Sequence, residues 1–133
     1  MLKQAFTPQS PYKKRARILT ILWILLIFIL CFIPGREFPD IQIPLIDKWV
    51  HFVLFAVFSF LWLCAAPSVK IDRLLLAFGA GTMLGWMVEE CQGLLVSLGR
   101  SKSLQDILAD AIGCAIGVLI FWWLAHLAVR RQR

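Results

Sequence analysis

The chain predicts an all-α membrane protein, a bundle of four transmembrane helices with both termini in the cytoplasm. Three observations predict it. Of its 133 residues, 60% are hydrophobic and 17% are charged, whereas a soluble domain has about 45–50% apolar and about 25% charged residues. Four apolar stretches, Ile18–Ile33, Trp49–Ala66, Leu74–Val88 and Ile107–Val129, run continuously rather than alternating. They therefore read as helices, and four barrel strands could not close. Basic residues cluster beside the stretches: Lys3, Lys13, Lys14, Arg15 and Arg17 precede the first, and Arg130, Arg131 and Arg133 follow the fourth. Such clusters face anionic lipid. The net charge of +6 thus belongs to topology and not to a nucleic-acid partner. The composition also excludes a soluble enzyme with one ordinary core and a disordered tail.

A membrane-crossing helix needs roughly 20 predominantly apolar residues, within a range of about 17–25. The fourth stretch is long enough alone and the second is just enough. The first and third must borrow flanking residues. The third continues through Glu89, Glu90, Cys91 and Gln92 into Gly93–Val96, which places two carboxylates inside the outer part of a helix. Between the second and third stretches, Lys70 and Arg73 outnumber Asp72. The other two linkers are acidic or balanced. Gly35–Lys48 sets Arg36 and Lys48 against Glu37, Asp40 and Asp47, and Glu89–Asp106 sets Arg100 and Lys102 against Glu89, Glu90 and Asp106. The positive-inside rule then puts both termini and the middle linker in the cytoplasm, and the first and third linkers outside. The first stretch leads into Pro34-Gly35-Arg36-Glu37 with no A-x-A-type cleavage site, so it is expected to stay as a span. The organisation is a basic segment 1–17, one transmembrane domain 18–129 and a basic tail 130–133. Cys31, Cys64, Cys91 and Cys114 lack zinc spacing and read as small apolar residues. Cys31 and Cys91 both lie toward the outer face, but nothing in the sequence pairs them.

An ionisable residue at the centre of a transmembrane helix costs about 2.5–3.5 kcal/mol on insertion scales, so it needs a partner or a function. Asp47 and His51 open the second helix, Glu89, Glu90 and Gln92 close the third, Arg100 lies in the linker, and Asp106 and Asp110 open the fourth. All map to one end of the bundle, the extracytoplasmic end. Asp106, Asp110, Gly113 and Gly117 recur at i, i+4, i+7 and i+11, on one helix face. Ala77, Gly81, Gly85 and Glu89 repeat the design on the third helix, with Gln92 three residues on. Small residues at this spacing let backbones approach closely. The third and fourth helices are expected to pack through these two strips, bringing Glu89 and Gln92 toward Asp106 and Asp110.

Plainer readings stand beside these. Asp47 can be the N-cap of its helix, or the residue that fixes the His51 ring one turn on. Ser103-Leu104-Gln105-Asp106 has the form of a capping box. Asp110 lies a turn too deep for capping. It is either a partner for Arg100, Lys102 or His51, or part of a site. Glu90 points to headgroups or another helix, and Arg100 neutralises the carboxylates or holds an anionic ligand. Trp122, Trp123 and His126 read as anchors at the inner interface.

The ordered set Asp47-Lys48-Trp49-Val50-His51, then Glu89-x-x-Gln92, then Arg100, Asp106 and the Gly113/Gly117 strip resembles the VanZ-like family. These are small bacterial membrane proteins named after a teicoplanin-resistance accessory protein. The resemblance covers Asp47 to Gly117. The family pattern looks like D-K-x-x-H, then E-x-x-Q, then R-x5-D-x3-N-x2-G. Asp110 stands where the family usually has Asn, and the segment between Gln92 and Arg100 is a residue or two longer than usual. The resemblance implies a role in the bacterial cell envelope and, for the founding member, low-level resistance to a lipoglycopeptide.

Three functions remain open. The polar site can be catalytic, acting on a lipid-linked substrate, with His51, Asp47, Glu89 and Asp106 handling protons and Gln92, Arg100 and Asp110 binding. It can instead bind a membrane lipid headgroup, a lipid-linked cell-wall precursor or a lipoglycopeptide without chemistry. Or it can only tie helices together. No cofactor and no metal is expected: one histidine with several carboxylates can hold a divalent ion, a minor variant of the catalytic reading, but the chain offers a single outward histidine.

Overall fold

The computed structural model describes residues 2–34, 45–99 and 101–130. Its elements are α1 (Leu2–Ala5), α2 (Lys13–Phe32), α3 (Ile46–Ala65), α4 (Ile71–Leu94), a single 3-10 turn (Val96–Leu98) and α5 (Leu104–Arg130). No strand occurs among the described residues. Three helices, α3, α4 and α5 through Ala128, are long and apolar enough to cross a membrane. Their 20 to 25 residues reach about 30–37 Å at 1.5 Å per residue, against a hydrocarbon layer of about 30 Å. The α2 helix carries the first apolar stretch and is also 20 residues long. It begins at Lys13 rather than Ile18, so its first turns are basic.

Local sequence explains the ends. The α4 helix runs unbroken from the apolar stretch through Glu89 and Gln92 to Leu94. Breaking it at Val88 would strand backbone carbonyls where there is no water to satisfy them. Leu95 N–H then closes on the Gln92 carbonyl at 3.0 Å, and Gly99 ends the following turn at φ 72°, a left-handed conformation that glycine adopts without penalty. The α3 helix is capped by the backbone of Leu45, with no side-chain cap hydrogen bond. Asp47 is therefore not the N-cap. It sits inside the first turn, where a carboxylate complements the helix dipole.

Helix α3 lies at the centre, in contact with α2, α4 and α5. It runs parallel to α5, because Lys48 meets Asp106, Ser59 meets the Cys114 carbonyl, and Phe60 meets Phe121. The glycine strip of α5 faces α3, not α4 as its spacing alone suggests. A Cβ on Gly113 would strike the Phe52 carbonyl oxygen, and one on Gly117 would strike the Ala56 carbonyl oxygen and Ser59 Oγ. The two backbones thus touch where side chains are absent, and Ser59 Oγ donates across the seam to the Cys114 carbonyl at 3.0 Å. The strip of α4 does face α5. A Cβ on Gly81 would meet Cys114 Sγ, and one on Gly85 would lie 2.6 Å from Asp110 Oδ2. Helix α5 therefore turns its Gly113/Gly117 edge to α3 and its adjacent Asp110/Cys114 edge to α4.

The core is apolar in two layers. Ile27, Phe55, Phe58, Val88 and Cys114 form one. Leu63, Leu74, Ala77, Phe121 and Ala125 form the other, closed at the far end by Phe6, whose ring meets Phe121 edge-on at 5.7 Å. Cys64, Cys91 and Cys114 are free thiols, while the Cys31 side chain lies outside the described residues. Outside the bundle, Leu25, Ile29, Leu76, Met83, Ile112 and Leu119 are exposed, while Ser59, Glu89, Gln92, Asp106 and Asp110 are buried. An apolar exterior over a partly polar interior is the distribution expected of helices solvated by lipid.

Helix α2 is tied to this bundle by the Trp23 indole N–H, which donates to the Leu54 carbonyl at 2.8 Å. Trp23→Phe keeps the ring but deletes the donor. It is expected to lower stability in detergent by about 0.5–1.5 kcal/mol, read as a drop in the thermal unfolding midpoint.

Candidate functional site

The polar residues gather where α3 and α5 begin and α4 ends. His51 lies just inside α3, and its Nδ1 is 2.9 Å from Asp110 Oδ1 on α5. Asp110 is wholly buried. An ionised Asp110 accepts from Nδ1–H, which fixes the ring and leaves the Nε2 lone pair free. That Nε2 faces Glu89 Oε1 of α4 at 3.8 Å. Asp110 thus takes the orienting role that spacing assigned to Asp47. Asp47 instead pairs with Lys48 and is more than half exposed. Side chains at i and i+4 do share a helix face, but the deeper position wins because Asp110 has no solvent to turn to.

The start of α5 explains the placement of Glu89 and Asp106. Ser103 Oγ accepts from Asp106 N–H at 3.3 Å, as an N-cap does. In a capping box the acid three residues on would bond back to the Ser103 N–H. Here that donor goes to Glu89 Oε2 at 2.7 Å, so a residue of α4 completes the cap of α5. Asp106 is thereby released, and its Oδ1 accepts from Lys48 Nζ at 2.9 Å. Two rungs result. Asp47, Lys48 and Asp106 form the outer one, and Glu89, His51 and Asp110 form the inner one.

Two atoms of the inner rung are left over. Glu89 Oε1 and Asp110 Oδ2 are buried without a hydrogen-bond partner. An unsatisfied buried acceptor costs about 1–3 kcal/mol, and more if charged. Glu89 has no exposed side-chain surface, so water does not relieve it. His51, Glu89 and Asp106 also each offer a ligand atom within 4.8 Å of one another.

Of the remaining expected residues, Gln92 is buried one turn beyond Glu89, and Gly81, Gly85, Gly113 and Gly117 are buried along the seams. Arg100 lies outside the described residues. Glu90 points away and pairs with Lys102 on the surface. Two contributors have no site role in the sequence, although Lys48 belongs to the D-K-x-x-H pattern and Ser103 to the capping box. Lys48 precedes His51 by three residues and shares its helix face, a signal that its role as a flanking charge obscured. The Ser103 contribution is a backbone N–H, which no side-chain pattern announces. Chemically, the cluster combines an oriented imidazole, an unpartnered carboxylate oxygen facing it, and an ammonium at the rim. Compared with family models, with curated proteins and with solved structures, the chain matches none.

Proposed function

We propose that the chain is a multi-pass protein of the bacterial cell membrane, of the VanZ-like kind, that acts by acid–base chemistry on a lipid-linked component of the cell envelope. Its polar end faces outward, as the Lys and Arg counts of the linkers require. The observation that carries this reading is Glu89 Oε1, buried, without a hydrogen-bond partner and 3.8 Å from His51 Nε2. A cluster that served only to join helices would pair such an atom. An outward movement of the His51 ring, which is 13% exposed, would open room for one oxygen of a bound group to hydrogen-bond to both atoms. His51 and Glu89 are then the proton-handling pair. Asp110 holds the imidazole, and Lys48 at the rim, held by Asp47 and Asp106, donates a hydrogen bond to a headgroup oxygen. Around them the exposed apolar faces of α3, α4 and α5 let the acyl part of the substrate stay in lipid.

Mass spectrometry of membrane lipids and cell-wall precursors tests this reading. Cells lacking the protein are compared with cells expressing wild type, Glu89→Gln or Glu90→Gln at matched levels. At least one species is expected to change with wild type and Glu90→Gln and to stay at the null level with Glu89→Gln. Identical profiles in all four strains would overturn the chemistry and leave a binder of headgroups or lipoglycopeptides.

A further inference from the structure

We propose that His51, Glu89 and Asp106 form a binding site for one divalent transition-metal ion, of the zinc or manganese kind. It rests on the reading that this cluster receives a ligand from outside the chain, and with an ion bound His51 Nε2 and Glu89 Oε1 serve as its ligands rather than as the acid and base themselves. In the sequence a lone outward histidine weighs against a metal, although carboxylates are expected at the same end of the bundle. The fold changes the argument by bringing two buried carboxylates from α4 and α5 to that histidine.

Four features agree. First, the imidazole is prepared as metal-binding histidines are: Nδ1 is held by the Asp110 carboxylate at 2.9 Å, which leaves Nε2 as the ligand atom and raises its basicity. Second, Glu89 Oε1 is buried and lacks a hydrogen-bond partner, so an ion there satisfies an acceptor that the chain does not. Its other oxygen is fixed by Ser103 N–H at 2.7 Å, which holds the carboxylate in place. Third, ligand atoms about 2.0–2.2 Å from a tetrahedral ion stand about 3.4 Å apart. His51 Nε2 and Glu89 Oε1 are 3.8 Å apart, and the full set lies within 4.8 Å. Small rotations of Asp106, whose Oδ1 stays on Lys48, bring its other oxygen to the ion.

The fourth feature is charge. Ionised, Glu89, Asp106 and Asp110 bring three negative charges into the cluster, and among the described residues the permanent cation beside them is Lys48, which Asp47 also pairs with. A divalent ion on a neutral imidazole offsets most of that negative charge. One nitrogen with two carboxylate oxygens suits zinc or manganese, whereas calcium and magnesium prefer oxygen alone. The three protein ligands leave positions open for water or a substrate oxygen, as catalytic ion sites do.

The test uses the full chain in lipid nanodiscs, stripped with chelator and titrated calorimetrically with Zn2+ and, separately, Mn2+. Wild type is expected to take up one ion per chain. Glu89→Gln and Asp106→Asn are expected to weaken binding by about 100-fold or more, and Asp110→Asn, which only orients the ring, by about 10–100-fold. Glu90→Gln should bind as wild type does. If the site variants fold poorly, wild type alone decides: electron spin-echo modulation of bound Mn2+ is expected to show one directly bonded imidazole nitrogen. No saturable uptake by wild type, unchanged affinity in Glu89→Gln, or no nitrogen coupling would overturn the inference. Uptake is read without substrate. An envelope profile that depends on Glu89 with no ion bound overturns the metal alone, whereas ion binding with an unchanged profile overturns the acid–base reading alone.

Discussion

Asp110→Ala is expected to lower the stability of the folded chain by about 3–5 kcal/mol, the range found when one partner of a buried ion pair is removed. Asp110 is wholly buried and lies 2.9 Å from His51 Nδ1, and the His51 side chain itself is only 13% exposed. Deleting the carboxylate leaves the imidazole N–H with no acceptor in the interior, and it opens a void against Gly85, over which Asp110 is packed. Asp110→Asn keeps both the shape and an acceptor oxygen, so it should lose much less. The decisive form is a double-mutant cycle with His51→Ala, read from unfolding midpoints in detergent. Once Asp110 is gone, removing His51 should add far less than it does in wild type. A coupling within the roughly 0.3–0.5 kcal/mol scatter of independent sites would show that the pair does not hold the bundle.

Gly117→Ala is expected to lower stability by about 1–3 kcal/mol, the usual penalty for overfilling a packed site. The new methyl group meets the Ala56 carbonyl oxygen and Ser59 Oγ. The first belongs to the backbone of α3 and cannot swing aside. Gly113→Ala meets the Phe52 carbonyl in the same way. Gly79→Ala is the control, since nothing lies within 4 Å of its would-be Cβ. There alanine's helix propensity should add up to about 1 kcal/mol. The same chemical change thus carries opposite signs at two positions of one protein. Equal unfolding midpoints for Gly117→Ala and Gly79→Ala would contradict the close α3–α5 seam.

Much of this was legible in the residues, for reasons that differ from place to place. The continuation of α4 past Val88 follows from length, because the third apolar stretch alone is too short to span and must borrow flanking residues. The convergence of His51, Glu89, Asp106 and Asp110 followed from up-and-down threading, which returns alternate helix ends to the same level. Partner choice was not legible. A small-residue strip says that something approaches closely, not which helix does, so Gly113 and Gly117 were matched to α4 when they serve α3. Local spacing offers Asp47 as the carboxylate that fixes His51, while Asp110 stands only as one of several partners for it because that link crosses 59 positions; the structure selects Asp110. Lys48 was counted as a flanking charge, although the same residue forms the rim of the site.

The parallel pairing of α3 with α5 has a consequence for how the molecule comes into being. Its tightest seam joins two helices that are not neighbours along the chain, with α4 and a turn between them. During synthesis α3 and α4 emerge first, carrying His51 and Glu89 while Asp110 and the Ser103 N–H do not yet exist. Until α5 arrives, the intermediate holds His51 and Glu89 without the Asp110 carboxylate and the Ser103 N–H that meet them in the finished fold, beside a groove shaped for two glycines. Docking of α5 fills the groove and meets both residues in one event. Maturation of the site and completion of the fold are therefore the same step, and quality control that senses unpaired charge in the bilayer would see every chain that stops short of it.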